Sequence, residues 1–135
     1  MIMPAATIYS YNPEAIHRLS ELEFKICSYQ GCACQAKWIE EYLDLGLAHA
    51  NSSPNAWQAN SIQRLFNTLL KAIRNPQASS LWRYQCLDYL YQPYFVLKQL
   101  YQQQPLRKCY LCDLLRSYNE VQPFTNKLDR QLHRT

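Results

Sequence analysis

The stretch Pro54-Asn55-Ala56-Trp57-Gln58-Ala59-Asn60-Ser61-Ile62-Gln63-Arg64-Leu65-Phe66-Asn67-Thr68-Leu69-Leu70-Lys71-Ala72-Ile73-Arg74 decides the fold. Ile62, Leu65, Phe66, Leu69 and Ile73 recur every three or four residues, the spacing that gathers apolar side chains on one side of an α-helix. Serine at 53 and proline at 54 punctuate its start. At about 100° per residue, Trp57, Asn60, Arg64, Asn67, Lys71 and Arg74 share the opposite sector, with Ser61 and Thr68 at its flanks. The segment therefore predicts an amphipathic helix with a basic, amide-rich outer face and an indole at one end.

The same grammar extends outward. Asn12-Pro13 predicts a first helix from Pro13 to Tyr29, with Ile16, Leu19, Leu22 and Ile26 at helical spacing and Gly31 as its stop. A second helix begins near Cys34 and carries Trp38, Tyr42 and Leu45 as one stripe; Gly46 weakens its last turn. Asn75-Pro76 predicts the start of a fourth helix over Gln77–Gln103. Pro93 lies inside it and implies a kink or break near Gln92. Apolar residues occur all round this segment (Leu81, Trp82, Cys86, Leu90, Phe95, Leu97), a pattern that predicts a central, buried helix. A fifth helix follows Pro105 with Leu111, Leu114, Leu115 and Tyr118, and a short last one follows Pro123. Strand alternation and hairpin dipeptides are absent. The prediction is one all-α domain over residues 1–135, a bundle of five to six helices with the Pro93 helix at its centre.

Composition limits function. The 135 residues are 48% apolar and 18% charged, outside the range of disordered chains. Two glycines exclude a glycine-rich phosphate loop. No apolar run nears the roughly 18 residues that span a bilayer, and the start Met1-Ile2-Met3-Pro4 lacks a basic-then-apolar leader. A cytoplasmic chain with six reduced cysteines is expected. The net charge of +4 is unevenly spread: residues 1–50 hold three basic and six acidic side chains, residues 51–135 eleven and four. Such a split suits a polyanion partner, an acidic protein, or two halves facing each other.

Catalytic and metal signatures are thin. Cys109-Tyr110-Leu111-Cys112 has zinc-ligand spacing, but a structural zinc site needs a second close pair, and Cys27, Cys32 and Cys34 do not repeat the spacing. Glu14-x-x-His17 occurs once, where a di-iron bundle needs it twice; His17 instead suits a pair with Glu21. Glu40, Glu41 and Asp44 read as a solvated acidic face. No nucleophile signature is present, so the chain is read as non-catalytic and without a cofactor.

The outer face of the Pro54–Arg74 helix remains. Fixed cations neutralise phosphates and a bare indole stacks on bases. Trp57, Arg64, Lys71 and Arg74, joined by Lys127 and Arg130 on the last helix, are the expected nucleic-acid contacts, with Arg83, Arg107, Lys108 and Arg134 as extensions. In size, helicity and basic charge the chain is similar to the small helical subunits of RNA-guided CRISPR effector complexes. The resemblance rests on those three properties alone and implies no site residue. The expectation is a non-catalytic subunit that contacts RNA or single-stranded DNA independently of sequence, alongside other protein subunits or copies of itself and away from membranes. Two alternatives stay open: a protein–protein adaptor that binds no nucleic acid, and a cysteine-ligated metal or redox module.

Overall fold

A computed structural model describes residues 12–31 and 35–133, with side chains described as far as Gln122. Their regular structure is helical throughout. α1 covers Pro13–Ser28, α2 Ala36–Asn51, α3 Asn55–Arg74, α4 Ser80–Tyr89, α5 Tyr91–Gln102 and α6 Lys108–His133, with a 3₁₀ turn at Pro105–Arg107 before α6. α4 and α5 are two pieces of one interrupted segment, so the described residues form five helices or six as that segment is taken whole or divided. None of the described helices is long and apolar enough to cross a membrane.

α1 starts as its sequence dictates. Asn12 accepts from the Ala15 amide at 3.2 Å, and Pro13 occupies the first helical position, where a missing N–H costs nothing. Its C-terminus is finished by distant side chains. The last carbonyls of a helix have no partner within it. Here the Trp82 indole donates to the Ile26 carbonyl at 3.0 Å, and Asn75 Nδ2 donates to that of Cys27 at 3.3 Å. Gly31 is not a left-handed cap, since no glycine among the described residues has positive φ. A Cβ there would meet the Tyr29 hydroxyl at 2.6 Å, so the glycine makes room for the Tyr29 ring. That ring packs edge-on against Trp38 and Trp82, with centroids 5.3 and 4.9 Å away.

α3 buries the stripe its spacing announces: Ile62, Leu65, Phe66, Leu69 and Ile73 are all at most 2% exposed. Ala59, Thr68, Leu70 and Ala72 are buried too, because α3 packs against α1, α2, α4 and α5. Gly46 of α2 sits directly over Leu65; a Cβ there would lie 2.3 Å from Leu65 Cδ2, so the missing side chain sets how closely α2 and α3 approach.

The helix boundaries depart from the sequence expectation in four places. Ser53 does not cap α3; its hydroxyl turns back to the His49 carbonyl at 2.8 Å, and Pro54 holds the cap position without a side-chain bond. Asn75-Pro76 forms a turn, with Asn75 Oδ1 accepting from Gln77 N at 2.9 Å, and α4 begins three residues after Gln77 behind Ser79, which accepts from Trp82 N at 3.2 Å. The break ahead of Pro93 falls at Leu90 rather than near Gln92. A proline ring clashes with the carbonyl four residues earlier, here that of Tyr89, so the interruption lands one turn upstream. The two pieces bury different residues, Trp82, Cys86 and Leu87 in α4 but Pro93, Tyr94, Leu97 and Tyr101 in α5. Leu81 and Phe95, read as part of an all-round apolar surface, are 39% and 54% exposed. Finally, α6 runs unbroken through Pro123 where a separate short helix was expected; one lost backbone bond does not end a helix with turns on both sides.

Candidate functional site

The outer face of α3 carries the residues its wheel predicts, but they do not share one environment. Arg64, at mid-helix, is committed to α1. Its Nε and Nη2 donate to the two carboxylate oxygens of Glu23 at 2.5 and 2.7 Å, and Nη2 also reaches the Ser20 hydroxyl at 3.2 Å. A parallel two-point pair of this kind is the strongest geometry open to an arginine and a carboxylate. Behind it the Tyr42 hydroxyl donates to Glu23 Oε2 at 2.6 Å and lies 2.8 Å from the Thr68 hydroxyl. Burial, and then the bond to Glu23, push the Tyr42 phenol well above its ordinary range. Arg64, Glu23, Tyr42 and Thr68 thus form one polar clasp across α1, α2 and α3. Thr68, expected at the flank of the outer face, lies inside that clasp and is 8% exposed.

The rest of the face is open. Lys71 is exposed and makes no ion pair among the described residues. Arg74 is exposed and touches Glu120 of α6 at 3.3 Å. Trp57 is 63% exposed, so it does not fold back as a staple on the preceding loop. Arg83 leaves the patch: its Nε donates to the Ile73 carbonyl at 2.6 Å and completes the last turn of α3. Arg107 lies over the Tyr110 ring, 5.7 Å from its centroid. Lys108 is exposed. The side chains of Lys127 and Arg130, and all of Arg134, lie outside the described residues, as do Cys32 and Cys34.

Of three depressions that Asn67 lines among the described residues, one lies over the Glu23–Arg64 pair and two flank the α3 ridge. Of these two, the one toward α1 encloses about 640 Å³ and is lined by Cys27, Asn67, Leu70, Lys71, Arg74 and Asn75. Burial pushes the Cys27 thiol up, against the pull of Lys71. The other, about 490 Å³, lies between α3 and α6; Asn60, Gln63 and Asn67 line one wall and Tyr110, Asp113 and Ser117 the other. Tyr101 donates to Gln63 Oε1 at 2.7 Å, and Gln63 Nε2 donates to Asn67 Oδ1 at 2.9 Å.

The remaining candidates are dispersed. Cys109 and Cys112 are both exposed in the first turn of α6, and no group of three or more His, Cys, Asp or Glu among the described residues stands close enough to hold a metal. His17 faces Glu21 at 3.7 Å. Glu40 accepts from Tyr89 at 2.8 Å, Glu41 from Arg18 at 2.6 Å, and with Asp44 they are exposed. Sequence reasoning missed Glu23 as the partner of Arg64 and Tyr42 as the donor behind that carboxylate. The available signal was Tyr42 itself: a phenol in an apolar stripe needs a polar neighbour for its hydroxyl. Compared with protein-family models, curated proteins and solved structures, the chain matches none of them.

Proposed function

We propose that this chain is a non-catalytic helical subunit that contacts nucleic-acid backbone, without sequence preference, through the open part of the α3 face, within a larger assembly. The observation that carries the reading is the pairing of an uncovered indole at one end of that face with two solvent-facing cations, Lys71 and Arg74, beside a depression at the other. Phosphates bind such cations by releasing condensed counterions, and an exposed ring adds base stacking. Arg64 takes a different part from the one its position on the wheel suggests: bound to Glu23, it braces α3 against α1 and leaves phosphate contact to Lys71 and Arg74.

Fluorescence anisotropy with labelled single strands and duplexes of mixed sequence tests this. With two to four phosphates engaged, affinity falls about 10- to 100-fold between 50 and 200 mM salt. Lys71→Glu with Arg74→Glu weakens binding at least about tenfold and lowers the salt slope by about two, whereas Arg64→Gln leaves the slope unchanged. Absence of binding at 50 mM salt ends the reading. The adaptor reading then takes over, favoured by Phe24, Phe95 and Leu106, which are 74%, 54% and 96% exposed. An absorbance ratio at 260 and 280 nm, with sizing, reports it as a protein complex free of nucleic acid.

A further inference from the structure

We infer that the groove between α3 and α6 is a subsite for an unpaired nucleobase, so that the chain favours single strands; this rests on the backbone-binding reading above. The two depressions that flank the α3 ridge differ in chemistry. The one toward α1 carries Lys71 and Arg74 and suits a phosphate. The α3–α6 groove holds one carboxylate, Asp113, and one guanidinium, Arg107, in its lining, and Asp113 accepts from the exocyclic amino group of a base. Arg116, one turn along α6, pairs with Asp113 and offsets its charge. The floor is apolar, formed by the buried Phe66 and Leu114.

The walls are suited to a flat ring with polar edges. Tyr110 is 53% exposed, is backed by Tyr101 with centroids 5.8 Å apart and planes 30° apart, and carries the Arg107 guanidinium over its ring at 5.7 Å, a second plane on which a base stacks. Single-stranded bases stack on such rings, while a paired base is already stacked within its duplex. Facing it, the relay from Tyr101 through Gln63 to Asn67 occupies Asn67 Oδ1 and leaves its NH₂ as a fixed donor. Asn60, one helical turn before Gln63 and Arg64 on α3, is exposed at the same wall and contributes both a donor and an acceptor. Donors and acceptors on both walls, rather than one fixed pattern, fit recognition that tolerates any base. At about 490 Å³ the groove falls in the usual range of small-ligand sites, roughly 300–1,000 Å³.

The experiment compares an oligodeoxycytidylate, whose bases carry an exocyclic amino group, with an abasic oligomer carrying the same number of phosphates. The base-bearing strand binds at least about tenfold tighter, the yield of stacking one or two bases. Tyr110→Ala, and separately Asn60→Ala with Asn67→Ala, bring that ratio below about threefold and leave the salt slope unchanged, since these exposed positions carry no charge. Equal affinity for both oligomers in the parent protein, with the salt slope intact, overturns the base subsite and spares the backbone reading. A ratio that survives both variants places the base elsewhere, on Trp57, and overturns the groove. Tighter binding to duplex than to single strand overturns it as well. Failure to bind either oligomer overturns the backbone reading, and the subsite with it.

Discussion

The two sides of α3 are held by different chemistry. Toward α1, α2 and α4 the contacts are directional: Arg64 on Glu23, Tyr42 between Glu23 and Thr68, and Arg83 on the Ile73 carbonyl, with the Trp82 indole joining α4 to the Ile26 carbonyl of α1 beside them. Toward α5 and α6 apolar and aromatic packing predominates, beside the Tyr101–Gln63 hydrogen bond. Phe66, Leu97 and Leu114 are buried there, and Tyr94 stacks on Tyr118 with centroids 3.7 Å and planes 7° apart. The Arg74–Glu120 contact joins two exposed side chains. Directional bonds fix angles, while apolar contacts tolerate small slides. The difference also bears on charge. Residues 1–50 are acidic and residues 51–135 basic, and the described ion pair that joins them is Arg64–Glu23. Among the described residues the halves do not cancel one another across a broad face, so the positive excess of that part of the second half survives folding.

That contrast is open to test. The largest effect belongs to Trp82→Ala, which removes a side chain 1% exposed together with its bond to α1; it lowers unfolding free energy by about 3–5 kcal/mol in urea titration. Tyr118→Ala, on the stacked side and half-buried, costs about 1–2 kcal/mol. Equal costs would erase the distinction. A smaller effect separates two cations on one helix face. Arg64→Gln strands the Glu23 carboxylate and costs about 1–2 kcal/mol, less than a fully buried pair because Arg64 is 44% exposed. Lys71→Gln stays within about 0.5 kcal/mol by the same titration. Smallest is an alkaline loss. Tyr42 ionises at higher pH in the folded chain than in the unfolded one, so its stabilisation is complete below the unfolded value near 10 and falls as pH rises past it. By pH 10.5 the loss is about 0.8 kcal/mol. Tyr42→Phe removes this component, so the parent's stability advantage over the variant, set at neutral pH by the bonds to Glu23 and Thr68, narrows as pH rises past 10.

Local signals were legible and long-range ones were not. The Asn12-Pro13 cap and the Ile62–Ile73 stripe depend on spacing within a few residues, and both are found in place. Asn75-Pro76 carries the same signature as Asn12-Pro13 yet makes a turn, because Asn75 Nδ2 is drawn to the Cys27 carbonyl, 48 residues away in sequence. Arg64 shows the same limit. A wheel places it outward correctly, but no periodicity within α3 registers that Glu23 of α1 lies opposite. The α3–α6 groove is a still more distant product, assembled from Asn60, Tyr101 and Tyr110 on three separate segments.

The carbonyl end of α1 has one further consequence. Ile26 and Cys27 find their donors in Trp82 and Asn75, beyond the residues that α1 itself supplies. A fragment cut after Arg74 keeps the whole length of α1 but neither donor, so its final turn unravels into solvent and its amides exchange rapidly with deuterium. Order at one extremity of this helix therefore arrives only once the ribosome has released the middle of the chain.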